Sequence, residues 1–244
     1  MSAYIFYGLL GVSNMVLWGI YGDLSVEKFE LRKVLRSLFF GAFWSCFLYL
    51  TDNALPPFVI ALSVISLERI TTEIYKALIR KEDQSKYLIP SDLKIRFHHV
   101  LKKILGVFIL AVIAVAIYFV DIAISNIAII FIVGMFNAIA GAAKDAPYEG
   151  FDKIKFFRSP VVSIAMGIFL IYAFPLVTGK FFLLAVAGGE RIISEFYKKI
   201  FRGKTPGKFK GIVINESWVS ERKWILPLYF LSVISLVYLL FLSN

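Results

Sequence analysis

Long apolar stretches alternate with shorter polar ones along the whole chain. Eight stretches, near residues 3–21, 37–51, 54–75, 101–122, 124–143, 159–178, 181–200 and 223–243, approach the length a membrane-crossing helix requires, roughly 20 apolar residues. Runs such as Ile104–Val120 are apolar on every side and lack the period-2 alternation of barrel strands, so the pattern predicts helices. The first stretch has no basic leading region and a counterpart later in the chain, so it reads as a retained span rather than a cleaved leader. The expected fold class is therefore an all-α integral membrane protein of eight transmembrane helices.

The pattern also repeats. Glu68-Arg69-Ile70-Thr71-Thr72-Glu73-Ile74-Tyr75-Lys76 matches Glu190-Arg191-Ile192-Ile193-Ser194-Glu195-Phe196-Tyr197-Lys198 at six of nine positions, 122 residues apart (190 − 68 = 122). Asp23/Asp145, Glu27/Glu149, Phe29/Phe151, Lys33/Lys155, Arg36/Arg158, Arg80/Arg202 and Lys86/Lys208 stand at the same interval. Four spans per copy is an even number, so both copies enter the membrane in the same direction. The expected architecture is two parallel four-helix repeats, residues 1–123 and 124–244, about a pseudo-twofold axis along the membrane normal. The junction Asp121–Asn126 is too short to link independent domains, so the expectation is one compact bundle. Gly11 and Gly134, and Gly19 and Gly141, read as small residues that let helices approach closely.

Composition agrees with a membrane setting. The chain is 59% hydrophobic and 18% charged, with mean hydropathy +0.77, more apolar surface than a soluble domain of this length can bury. The net charge is +10, and its placement argues against nucleic acid. Connections 22–36, 71–102, 144–158 and 198–222 fall on one side, and they and the adjoining helix ends hold every Lys and Arg except Lys180. Positive connections face the cytoplasm, which puts both termini on the non-cytoplasmic side. The expected partners are membrane lipids, through anionic headgroups on the cytoplasmic side, or a small ion or phosphorylated ligand. A lone cysteine, Cys46, excludes an intrachain disulfide.

Ionisable residues inside apolar helices then become the leads. Glu68 lies about 13 residues into its span, or about 20 Å at 1.5 Å per residue, and Glu190 matches it. Such groups are costly at that depth and usually face a bundle interior or wet cavity. Helical spacing sorts them into two stripes. Arg69, Glu73, Lys76 and Arg80 alternate in sign, as do Arg191, Glu195, Lys198 and Arg202, so pairing within the helix offsets their charge. Glu68, Thr72 and Tyr75, matched by Glu190, Ser194 and Tyr197, leave a carboxylate beside a hydroxyl with no cation. Snorkelling of charged helix ends to the interface is the plainer alternative. Asn14 and Asn137 are mid-span amides, candidates for interhelical hydrogen bonding or ligand contact.

A second constellation opens each first cytoplasmic connection. Asp23, Glu27 and Glu30, and Asp145, Glu149 and Asp152, recur at i, i+4 and i+7. On a helix each trio would present carboxylates along one face, a seat for Mg²⁺, the one cofactor the sequence suggests. The alternative is that Asp23 and Asp145 cap a short helix, with Pro147 in its first turn. Lys33, Arg36, Lys155 and Arg158 follow as candidate phosphate or headgroup contacts, and Phe29 and Phe151 as interfacial anchors. No phosphate-binding glycine loop, zinc cluster or Ser-His-Asp set is present. Adjacent His98 and His99 have no counterparts in the second copy and read as solvated connection residues.

Three functions fit these residues. The leading expectation is a transporter or channel for a small ion or phosphate-bearing solute, through a pseudo-symmetric polar cavity open to the cytoplasm and lined by both copies. The second is a membrane-embedded, Mg²⁺-dependent transferase acting on a lipid or prenyl phosphate at the cytoplasmic face. That layout resembles the intramembrane prenyltransferases in architecture, although neither Asp-rich motif of that family (N-D-x-x-D, D-x-x-x-D) is present. The third is a non-catalytic scaffold whose charges serve topology alone.

Overall fold

The computed structural model describes residues 1–23, 29–80, 99–198 and 222–243. Glu27, Lys86, His98, Arg202 and Lys208, and the side chains of Asp23 and Glu149, lie outside the described residues. Among the described residues the chain is helical without strands. Eight long helices follow in order: α1 (Ser2–Asp23), α2 (Leu31–Thr51), α3 (Pro57–Ile74), α4 (His99–Phe119), α5 (Asn126–Glu149), α6 (Lys153–Ala173), α7 (Gly179–Phe196) and α8 (Ile225–Leu242). Six of them (α1, α2, α4, α5, α6 and α8) are long and apolar enough to cross a membrane. By length and composition this is an all-helical, multi-pass membrane protein. The other two, α3 and α7, are 18 residues long and carry three and four ionisable residues, and they occupy the middle of the bundle.

Local signals set the helix ends. Proline at the first position of α3 has no N–H to leave unpaired. Ser125 caps α5 by accepting from the Ala128 N–H at 3.3 Å, and the Asp152 carboxylate caps α6 by accepting from the Lys155 N–H at 3.1 Å. Gly150, at φ +80°, ends α5 in a conformation that L side chains rarely adopt. The expectation that Asp145 starts a helix is thereby corrected. Asp145 and Pro147 sit in the last turns of α5, which runs on to Glu149, and the cap belongs to Asp152.

The central contact joins α3 and α7. A Cβ at Gly188 would fall inside the van der Waals envelope of the Leu62 carbonyl oxygen, so the two backbones meet directly. Helices α1 and α2 flank α3, α5 and α6 flank α7, and α8 packs on α1 and α3. Two dry cores result. One gathers Val59 and Leu62 of α3 with Ile129, Leu170, Phe182, Val186 and Leu239. The other gathers Val12, Trp44, Leu48, Ile60 and Val64, and takes in Leu184 from α7. Outward-facing Phe108, Phe131, Phe136, Val161 and Phe241 are exposed, as lipid contact requires.

Two ties close the end of the bundle opposite most of the charge. The Phe58 N–H donates to Ser243 Oγ at 3.0 Å, and Lys180 Nζ meets Asp121 Oδ1 at 3.4 Å. Each tie joins the end of a fourth helix to the start of the other half's third helix, and the partners stand 122 positions apart. Close approach at glycine holds for Gly11 and Gly134, where an added Cβ would stand only 2.7 Å from the Ala61 carbonyl oxygen and 2.8 Å from Pro160 Cα. It does not hold for Gly19 and Gly141, where a Cβ would meet nothing within 4 Å.

Candidate functional site

Apart from Lys180, the ionisable residues of α3 and α7 occupy the C-terminal halves of both helices, past the dry seam at Leu62 and Gly188. Glu68 is 7% exposed and Glu190 6%. Thr72 Oγ1 donates to Glu68 Oε1 at 2.8 Å, and Ser194 Oγ to Glu190 Oε1 at 2.7 Å, both one helical turn onward. Asn137 Nδ2 adds a longer bond to Glu190 Oε2 at 3.4 Å. Among the described residues neither carboxylate has a cation within 4.0 Å. Among the described residues two buried carboxylates are thus each held by a hydroxyl without a direct ion pair, with Arg36 in electrostatic range of Glu68 and Arg191 of Glu190. Such a group needs a proton, a cation or a ligand to offset its desolvation.

The adjacent stripe is internally compensated. Arg69 Nη1 and Lys76 Nζ reach Glu73 Oε1 at 2.9 and 3.4 Å, and Arg191 Nη1 and Lys198 Nζ reach Glu195 Oε1 at 2.5 and 3.0 Å. Lys144 of α5 adds a third cation to Glu73, at 3.1 Å from Oε2. Arg191 lies within electrostatic range of Arg69 and Glu73 as well as of its own Glu190 and Glu195, so the stripes of α3 and α7 face each other.

Tyr75 and Tyr197 mark the point where each third helix widens into a π turn, a local irregularity frequent at functional sites. Each tyrosine carries an arginine from the neighbouring second helix. Arg36 Cζ stands 5.1 Å from the Tyr75 ring centre, and Arg158 Cζ 5.9 Å from that of Tyr197. These stacks tie Arg36 and Arg158, expected as phosphate or headgroup contacts, into the same end of the bundle.

The remaining candidates fall elsewhere. Asn14 is fully buried in the contact between α1 and α8, donating to Ser232 Oγ at 2.8 Å, and takes the interhelical role. Of the acidic trios, Glu30 pairs with Lys33 at 3.2 Å, Asp145 is ion-paired to Lys155, and Asp152 caps α6 beyond the Gly150 break, while Glu27 and the side chains of Asp23 and Glu149 lie outside the described residues. Among the described residues no group of three potential metal ligands stands together. Phe29 and Phe151 are exposed, as anchors would be. Lys33 and Lys155 lie in the first turns of α2 and α6, their ammonium groups on Glu30 and Asp145.

Three features were not foreseen from the residues: the arginine–tyrosine stacks, the Lys144 bridge, and a bond from Trp44 Nε1 to Thr71 Oγ1 at 2.8 Å. Only the stacks left a trace, since arginine and tyrosine both recur at the 122-residue interval. Trp44 and Lys144 have Met166 and Gly22 as counterparts, so the repeat is silent about them. Compared with known protein families, curated proteins and solved structures, the chain matches none.

Proposed function

We propose that the chain is a membrane-embedded protein with a one-sided site, which takes a phosphate-bearing lipid at its charged face and acts on it there as a transferase. The carrying observation is the position of Glu68 and Glu190: both are buried at one end of the bundle, with the close-packed Leu62–Gly188 seam behind them. A path through the bundle would need polar groups or space along that seam. Fully buried Val59, Leu62, Phe182 and Val186 occupy it instead. Arginine and lysine side chains around the carboxylates suit a phosphate. Glu68 and Glu190, held by hydroxyls and, among the described residues, not ion-paired, are the groups able to accept a proton from an acceptor hydroxyl. That hydroxyl attacks the ligand's carbon as the bond to the phosphate breaks, the phosphate leaving toward the arginine and lysine side chains.

In this reading the chain consists of two parallel four-helix repeats about an axis passing between α3 and α7. The matched ties Phe58–Ser243 and Lys180–Asp121, and the matched stacks Arg36–Tyr75 and Arg158–Tyr197, support it. The clustering of Lys and Arg supports placing the charged end in the cytoplasm and both termini opposite.

Transport of the same ligand class is the second reading. The recurrence of acids and bases in both halves favours it, and it requires the α3–α7 seam to open. Full-length protein in liposomes separates the two. Conversion of an added prenyl or lipid phosphate without loss of trapped phosphate supports the one-sided enzyme. Phosphate flux without conversion overturns it in favour of transport. In either assay Glu68→Gln with Glu190→Gln should remove the activity, and its persistence would move the chemistry off these carboxylates.

A further inference from the structure

We infer that each half of the bundle carries its own receptor for a phosphate group, built from an arginine pinned on a tyrosine: Arg36 on Tyr75 and Arg158 on Tyr197. The inference rests on the reading of a phosphate-bearing ligand and adds the atoms and the number of sites. Arginine at a helix end commonly finds a carboxylate. Neither of these does so: among the described residues no acid lies within 4.0 Å of either guanidinium. Their Nε atoms are buried and have no acceptor, in both halves alike. A buried donor without a partner costs on the order of 1–3 kcal/mol, and the same vacancy at matched positions argues against accident.

The stack explains how such a group is held. The tyrosine face attracts the guanidinium and fixes its plane, so the fork of donors is set before a ligand arrives. Arg36 lies within electrostatic range of Glu68 and of Arg80, and Arg158 within range of Lys198, which is itself paired to Glu195. A planar fork of donors suits a phosphate's paired oxygens better than a halide. Two such receptors fit two phosphate groups, carried by one diphosphate-type ligand or by two separate molecules.

Native mass spectrometry of the full chain, titrated with phosphatidic acid and with phosphatidylcholine as control, tests the inference. The expected result is saturable binding of two phosphatidic acid molecules per chain, with none of comparable strength for phosphatidylcholine. Arg36→Lys and Arg158→Lys keep the charge but lose the fork, and each should weaken one of the two sites by about tenfold. Tyr75→Leu and Tyr197→Leu, which leave the arginines in place, should weaken the same sites in turn. Competition by inorganic pyrophosphate assigns recognition to the free phosphate groups, and failure to compete assigns it to the lipid-borne headgroup. Unsaturated binding without a defined number, or two sites unchanged in the Arg36→Lys, Arg158→Lys double variant, overturns the inference. Loss of activity in the glutamate variants with unchanged phosphate binding in the arginine variants would sink the receptors and spare the functional reading. The converse pattern would do the reverse.

Discussion

Toward their charged ends helices α3 and α7 carry the same acids and bases at the same positions, yet they meet their surroundings differently. Their charged stripes align residue for residue, from Glu68/Glu190 to Lys76/Lys198. At their crossing the likeness ends. Gly188 of α7 admits the Leu62 backbone, whereas the counterpart of Gly188 on α3 is Ser66, and that of Leu62 is Leu184. One glycine is enough for one close crossing, so the second copy of the position is released from that demand. Among the described residues Glu195, 9% exposed, meets two cations, while Glu73, 33% exposed, meets a third, Lys144 of α5. The comparison separates two patterns: the charged residues recur at the 122-residue interval in both helices, whereas the residues at the crossing do not.

The comparison breaks hardest at the crossing. Gly188→Leu should cost about 3 kcal/mol or more, because overpacking against backbone leaves nothing to rotate away. Ser66→Gly on the matched face should cost under about 1 kcal/mol, and thermal unfolding in detergent compares the two directly. Equal melting of Gly188→Leu and the parent would mean that the seam is not closed.

Next in size is the contrast between the two central carboxylates. Glu195→Gln strands Arg191 and Lys198 in a buried setting and should cost about 3 kcal/mol. Glu73→Gln, with more solvent to screen the loss, should cost about 1 kcal/mol. Denaturation midpoints that reverse this order would remove burial as the distinguishing factor.

Glu68→Gln and Glu190→Gln should leave stability within about 1 kcal/mol of the parent, since each amide still accepts from its hydroxyl and no ion pair is lost. A combination of retained melting temperature and lost activity would mark them as functional carboxylates. A large drop in melting temperature would make them structural. Smallest of all is Lys144→Met. That lysine is 42% exposed, and its bridge to Glu73 should contribute about 0.5 kcal/mol, fading in high salt.

Much of this was legible in the residues, and the reasons are local. A run such as Ile104–Val120 can only be a helix if it lies in lipid, because every backbone group must find its partner within the segment. Glu68 beside Thr72, and Glu73 between Arg69 and Lys76, follow from a 3.6-residue turn alone, and the distances bear the spacing out. The second acidic trio does not run along one helix, because one glycine, Gly150, ends α5 between Glu149 and Asp152. Periodicity carried past a helix end predicts neighbours that do not exist.

The amino-acid order by itself determined the membrane class, the helices and the internal pairing of the charged stripe, since hydropathy and i, i+4 spacing act within one segment. The tertiary structure alone decided that Gly188 meets Leu62, that Asn14 finds Ser232, and that Arg36 and Arg158 rest on tyrosines. Those contacts join separate helices, and in a bilayer apolar side chains pack against one another about as readily as against lipid. Which faces meet is therefore set by fit and by a few polar groups, and neither is written in any one segment.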